Sequence, residues 1–327
     1  MSGYIELHVH SAYSFAVGAC SPREMVRGAK KLGLSGLALL DYDGVYGLME
    51  ARAAAREAGL AFLPGCEFTL EDETHLPVIC RSDQGYSALT GAISAHHLAA
   101  GRREPDRQNL AELASWAKGQ WLVLTGTRAG SLRRVLHRSG IAAAARFLEQ
   151  LKEMFGAENV AVEAALAGFD GEERLAAQLD HLARKTKLPL VATSAARCAD
   201  PASQHLADVM TATRHRLPLD KVQDHLPASH AMLRTPAQLR RIYQQIPHAL
   251  ENAAAIGKDL IFDFSTPEPH LPLARVPPGY SADSYLEQLS WQGARSRYGD
   301  PVPGKAADTI RQELKVIFQK GFSGYFL

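Results

Sequence analysis

Seven short apolar runs recur through the first two-thirds of the chain: Tyr4–Val9, Leu34–Leu40, Ala61–Phe68, His75–Cys80, Trp121–Thr125, Val160–Ala164 and Leu188–Ala192. Each is bounded by Gly, Pro or polar residues, which is how buried strands read. Helices are predicted between several of them. One runs from Pro22 to Leu32, with Ser21 as N-cap, Pro22 at the first helical position and Gly33 as the stop. Others are predicted over Val45–Ala58, Leu110–Lys118, Ile141–Phe155 and Leu175–Lys187. A repeated strand–helix order predicts parallel strands joined by right-handed crossovers. About seven such units suit a closed or nearly closed β/α barrel, with its functional residues at the C-terminal edge of the strands. An open doubly wound sheet is the alternative and obeys the same rule.

The texture changes after about Asp200. Residues 201–275 read as mostly helical, punctuated by Pro218, Pro227, Pro236 and Pro247. Residues 267–279 hold five prolines and read as an extended connector. Ser284–Tyr298 and Ala306–Lys320 read as helices, and the closing GFSGYFL as an apolar, strand-like run. A free domain seldom stops in mid-strand, so a further domain is expected after it.

Bulk properties add a few constraints. The 327 residues can form one large domain plus an extra segment, or two domains. Hydrophobic residues at 46% and charged residues at 22% fit a soluble globular chain. A net charge of +1 leaves any nucleic-acid reading to local patches. Three patches qualify: Arg128, Arg133, Arg134, His137 and Arg138; Arg214, His215 and Arg216; and Arg102 with Arg103. They can contact phosphates or form solvated faces, and no stacking aromatics accompany them. Cys20, Cys66, Cys80 and Cys198 form no C-x-x-C pair. That speaks against a zinc ribbon or a disulfide framework and suits a reducing, cytoplasmic compartment. No signal peptide or membrane span is visible, so no membrane partner is expected.

The candidate chemistry lies where the runs meet their loops. His8 and His10 close the first run two residues apart, and strand alternation points both imidazoles to one side. Such a pair suits zinc, manganese or iron, or is simply hydrogen-bonded and buried. Asp41 and Asp43 end the second run, either for chemistry or as caps for the next helix. Glu67 ends the third run and His75 opens the fourth.

Taken in order, ELHVHSAYSF, LGLSGLALLDYDGVYGL, PGCEFTL and HLPVICRSDQGYSAL resemble the successive motifs of the PHP domain (polymerase and histidinol phosphatase). The version they resemble is that of bacterial C-family DNA polymerases, the DNA polymerase III alpha subunits, and within them the error-prone branch. The likeness continues through WLVLTGTRAG, PLVATSAARCADP and LPLARVPPGYSADSYLEQLSWQGARSRYG to ELKVIFQKGFSGYFL, which is similar to the start of a polymerase palm. The resemblance implies a distorted (β/α)7 PHP-type barrel over residues 1–215. A helical, Pro-rich connector would follow over 216–279, then a palm-like segment over 280–327.

The same resemblance implies about nine metal ligands, of which four stand here: His8, His10, Glu67 and His75. At the other five positions the chain has Val17, Tyr42, Thr127, Ala195 and Arg197. Even an outer hydrogen-bond partner of a metal ligand is worth ~10–100-fold in affinity. Five lost ligands therefore remove at least ~7 kcal/mol of the ~10–16 kcal/mol of a tight structural site. The expectation is a site of low occupancy for Zn²⁺ or Mn²⁺, with no catalytic residue in this chain and with Arg197 paired to Glu67 in place of a metal. By resemblance the chain is the PHP domain of an error-prone polymerase with a structural role. Mg²⁺-dependent DNA synthesis would be done elsewhere in the parent protein, and DNA, a sliding clamp and translesion accessory proteins would be its partners. The alternative is a free-standing, metal-dependent PHP phosphoesterase.

Overall fold

The computed structural model describes residues 3–100, 107–166, 171–222, 231–264 and 273–327. Arg102, Arg103, Pro227, Pro267, Pro269 and Pro272 lie outside them. Seven strands form one sheet in sequential order: β1 Ile5–Val9, β2 Gly36–Leu39, β3 Ala61–Thr69, β4 His75–Cys80, β5 Trp121–Leu124, β6 Val160–Ala165 and β7 Leu190–Thr193. The first helices are α1 Pro22–Lys31, α2 Leu48–Ala58, α3 Asp83–Ala100, α4 Leu110–Ala117, α5 Ser131–Phe155 and α6 Glu172–Thr186. They are followed by α7 Pro201–His215, α8 Pro236–Ile242, α9 His248–Asp259, α10 Ala282–Tyr298, α11 Gly304–Gln319 and α12 Ser323–Phe326. The chain divides into two compact units, Met1–Phe264 and Ser265–Leu327.

The local signals hold where they depend on neighbours in sequence. Ser21 forms a capping box with Glu24 at the start of α1, and Pro22 sits in the first turn, an arrangement worth about 0.5–2 kcal/mol for the cap. Gly140 breaks α5 at φ 77°, so its second half begins at the predicted Ile141. Asp83–Ala100 is a helix that the apolar pattern did not suggest.

Two expectations change. The strands are not all parallel: β4 runs antiparallel to both β3 and β5, while the other neighbouring pairs are parallel. Only residues 70–74 separate β3 from β4, and a parallel return needs a crossover of about a dozen residues or more. The link therefore folds as a tight turn, with Glu73 at φ 64° and the Leu70 amide donating to Thr74. The closing GFSGYFL is also not a strand: Ser323–Phe326 forms a helical turn. The second unit has no strand among its described residues, so this backbone satisfies its polar groups locally.

The barrel is nearly closed. At the mouth the His10 amide donates to Ala196 and the Ala196 amide donates to His8, joining the end of β1 to the turn after β7. Farther down, α9 packs on both β1 and β7, and a Cβ at Gly257 would come within 2.9 Å of Ile5. Tyr243, just after α8, is fully buried. Its hydroxyl lies 2.6 Å from Ala164 O and 2.7 Å from Thr193 O, and accepts from the Leu166 amide at 2.9 Å. It thus ties the ends of β6 and β7 together. Tyr243→Phe strands these buried backbone groups and is expected to lower stability by about 1–3 kcal/mol, read from the urea midpoint. A change below ~0.5 kcal/mol would mean that other groups already satisfy that backbone.

Candidate metal centre

Alternation along β1 sends Glu6, His8 and His10 to the barrel interior, and all three are buried. β3 supplies Glu67, also buried. The reversal of β4 decides the place of His75. In an all-parallel barrel the first residue of a strand lies at the bottom. Here Thr69 pairs with His75 across the hairpin, which lifts His75 to the mouth beside Glu67.

These side chains converge tightly. His8 Nε2 lies 3.1 Å from His10 Nε2 and 3.1 Å from Glu67 Oε2, and His10 Nε2 lies 2.8 Å from the same oxygen. His75 Nδ1 stands 3.9 Å from Glu67 Oε1. These last two atoms are buried and have no hydrogen-bond partner among the described residues. A buried carboxylate oxygen and a buried ring nitrogen that face each other too far apart for a hydrogen bond fit a small cation or a water between them. His8, His10 and Glu67 bring one ligand atom each within 4.8 Å of one another. This donor set suits one Zn²⁺ or Mn²⁺ and could polarise one bound water. Among the described residues these three form the one group that could hold an ion, which suits a single metal rather than a cluster.

Tyr42 fills part of the space. Its ring centroid is 4.6 Å from that of His10 and 4.6 Å, edge-on, from that of His75. Burial pushes its phenol upward from the usual range, and the Glu67 carboxylate adds to this, so the hydroxyl keeps its proton. Arg197 does not pair with Glu67. Among the described residues Glu67 forms its ion pairs with His8, His10 and His75, and the Arg197 guanidinium reaches the Tyr42 hydroxyl at 3.5 Å. Val17 is buried in the turn after β1, and Thr127 is half-buried in the loop after β5. Ala195 holds φ 44° just after β7, a conformation that a side chain without local hydrogen bonding adopts at some cost.

Asp41 and Asp43 neither cap α2 nor join the cluster. The N-cap of α2 is Gly47, which has no side-chain bond. Asp41 accepts from the Ser11 amide, the Ser11 hydroxyl and the Ser14 hydroxyl, each at 2.7 Å. Ser14 in turn sits 3.0 Å from His10 Nδ1, so Asp41 fixes the turn that orients His10. Asp43 accepts from the Thr69 amide at 2.7 Å and from its hydroxyl at 2.6 Å, tying β2 to the end of β3.

Two buried carboxylates escaped the sequence reading. Glu163 Oε1 lies 2.8 Å from His8 Nδ1 and accepts from the Thr193 hydroxyl at 2.5 Å. Glu6 accepts from the Ser194 amide and hydroxyl and from the Tyr4 hydroxyl. Burial raises Glu6 to about 7 against those bonds. The available signal was a lone acid inside an apolar strand run, which must have a partner when buried. The His8 imidazole thus stands between two carboxylates. Burial pulls its pKa down, but Glu163 and Glu67 overcome this and carry it to about 10. His10 and His75 are both lowered from the ordinary value, chiefly by burial. Despite its burial, Glu67 is held well below the carboxylate range by His8 and His10. Glu163 and Glu67 thus favour the protonated form of His8, and a metal would have to displace that proton.

Residues 6–165 match the PHP domain, and residues 284–327 match the bacterial DNA polymerase III alpha NTPase domain. An error-prone DNA polymerase of Mycolicibacterium paratuberculosis is 39% identical over 336 residues, which cover 99% of this chain and 31% of the relative. One from Cutibacterium acnes is 36% identical over 338 residues, covering 99% and 30% respectively. The chain spans about a third of the length of the curated relatives it matches. A solved amidohydrolase structure from Chromobacterium violaceum aligns with TM-score 0.41 at 20% identity, over 58% of this chain and 85% of that one.

Proposed function

Because this chain belongs to the PHP family in the form carried by error-prone DNA polymerases, we propose that it is a non-hydrolytic scaffold within such a polymerase. Nucleotidyl transfer on DNA with Mg²⁺ would be carried out by residues outside this chain. A sliding clamp and translesion accessory proteins would be partners of the parent protein. The relationship along 99% of the chain is the observation that carries the reading. The site supports it from the chemical side. In-line displacement on a phosphoester is best served by metal ions that clamp both the attacking and the leaving oxygen. His8, His10 and Glu67 offer ligands for one ion with His75 beside them, and by the family resemblance Tyr42 and Arg197 would stand at two positions of further ligands. If one ion is bound, it supplies Lewis-acid polarisation of a water. The chain's own part is then to orient the imidazoles through Ser14, Asp41 and Glu163.

The competing reading is a free-standing phosphoesterase. The test measures phosphate release from p-nitrophenyl phosphate and nucleotide release from single-stranded DNA, with and without added Mn²⁺. The expected rate equals that of a His8→Ala/His10→Ala variant under every condition. A Mn²⁺-dependent rate well above that variant would overturn the scaffold reading.

A further inference from the structure

A cleft of about 680 Å³ opens outside the barrel interior, between the β3–β4 turn, the loop after β5, α5 and α6. Arg128, Arg133, Arg134, His137, Arg138 and Arg174 line it. The acidic lining residue Glu73 is engaged by Arg107 at 2.5 Å, and Arg134 is paired with Asp72. The other five basic groups make no hydrogen bond and no ion pair among the described residues, although Arg133 is half-buried. Burial lowers the Arg133 guanidinium from its ordinary value; Arg128 pushes the same way, and Glu172 opposes both. A cleft that gathers like charges and neutralises only part of them stores repulsion, which an anion would relieve.

From this arrangement we propose that the cleft binds the phosphates of a single-stranded nucleic-acid backbone. Guanidinium groups present planar forks that match phosphate oxygens, and several of them in one cleft fit successive phosphates better than a single anion. Among the described residues the apolar lining is Ala129, Leu136 and Leu175, with no Phe, Tyr or Trp. Bases would find no stacking platform, so binding should be indifferent to sequence. An acidic protein partner fits less well, because stable protein interfaces are anchored by buried aromatic groups, and the described residues of this cleft offer none. The binding depends on neither the barrel-interior site nor the polymerase reading.

The experiment is fluorescence anisotropy of the 327-residue chain with a labelled oligothymidylate across a salt series. Each single-strand phosphate contacted contributes a slope of about −0.7 to log affinity against log salt. Three to five contacts should therefore give roughly −2 to −3.5. The Arg133→Gln/Arg138→Gln/Arg174→Gln variant should remove about 2 from that slope and weaken low-salt binding at least tenfold. Its thermal midpoint should stay in place, since none of the three makes a hydrogen bond among the described residues. Should Arg133→Gln unfold the chain, Arg138→Gln/Arg174→Gln should still remove about 1.4 from the slope. No binding at low salt, or variant binding equal to wild type, would overturn the proposal. So would displacement of the oligonucleotide by pyrophosphate at equal phosphate concentration, which would make this a small-anion site. Equal affinity for a polyglutamate peptide would overturn it as well.

Discussion

Replacing His8 by alanine is expected to destabilise the protein by about 3–5 kcal/mol even when a chelator has removed every metal ion. The reason is charge. His8 is fully buried between Glu163 at 2.8 Å and Glu67 at 3.1 Å. Deleting the imidazolium leaves two carboxylates facing one another in the barrel interior, and removing one partner of a buried ion pair carries a cost of that size. Against a total stability of about 5–15 kcal/mol, the loss is large. A concomitant Glu163→Gln should recover part of it, as a double-mutant cycle would show. The effect also has a pH signature. The folded pKa of His8 is raised to about 10 from the ordinary 6.5. Its stabilising contribution is therefore fully present below about pH 6.5 and is lost as the pH rises through about 10. The gap between wild type and His8→Ala should narrow across that window. A chelator-treated variant within 1 kcal/mol of wild type would show that His8 is a spare metal ligand rather than a structural cation.

The Tyr42→His/Arg197→His variant is expected to bind Zn²⁺ at least 10²–10⁴-fold more tightly than wild type, on the scale of ~10–100-fold per group. Tyr42 packs against His10 and His75, and Arg197 holds its hydroxyl. The substitutions replace an apolar ring and a fixed positive charge with two imidazoles, on the side where Glu67 Oε1 and His75 Nδ1 have no hydrogen-bond partner among the described residues. Competition with a chromophoric chelator gives the affinity, and elemental analysis of the protein gives the stoichiometry. Because ligation requires a neutral His8, affinity should rise with pH in both proteins. Unchanged affinity in a folded variant would mean that Tyr42 and Arg197 are not what weakens the site.

Strand and helix existence was legible in the chain because it rests on local spacing. The apolar runs became β1 to β7, Ser21 and Pro22 start α1, and the alternation in His8-Val9-His10 puts both imidazoles on one face. The antiparallel β4 was legible too, in the short link over residues 70–74, but only when linker length is weighed together with periodicity. The same holds for Glu6 and Glu163, whose signal was an acid inside an apolar run.

What the amino-acid sequence determined by itself was the kind of fold, the family likeness, and which histidines share a face. Only the tertiary structure decided what those groups are bonded to. Glu163 meets His8 from 155 residues away, Arg197 finds Tyr42 rather than Glu67, and the hairpin carries His75 from the foot of a strand to the mouth of the barrel. Local periodicity records the direction in which a side chain leaves the backbone. Charge pairing depends on which distant strands the barrel brings together, and no window of neighbouring residues contains that information.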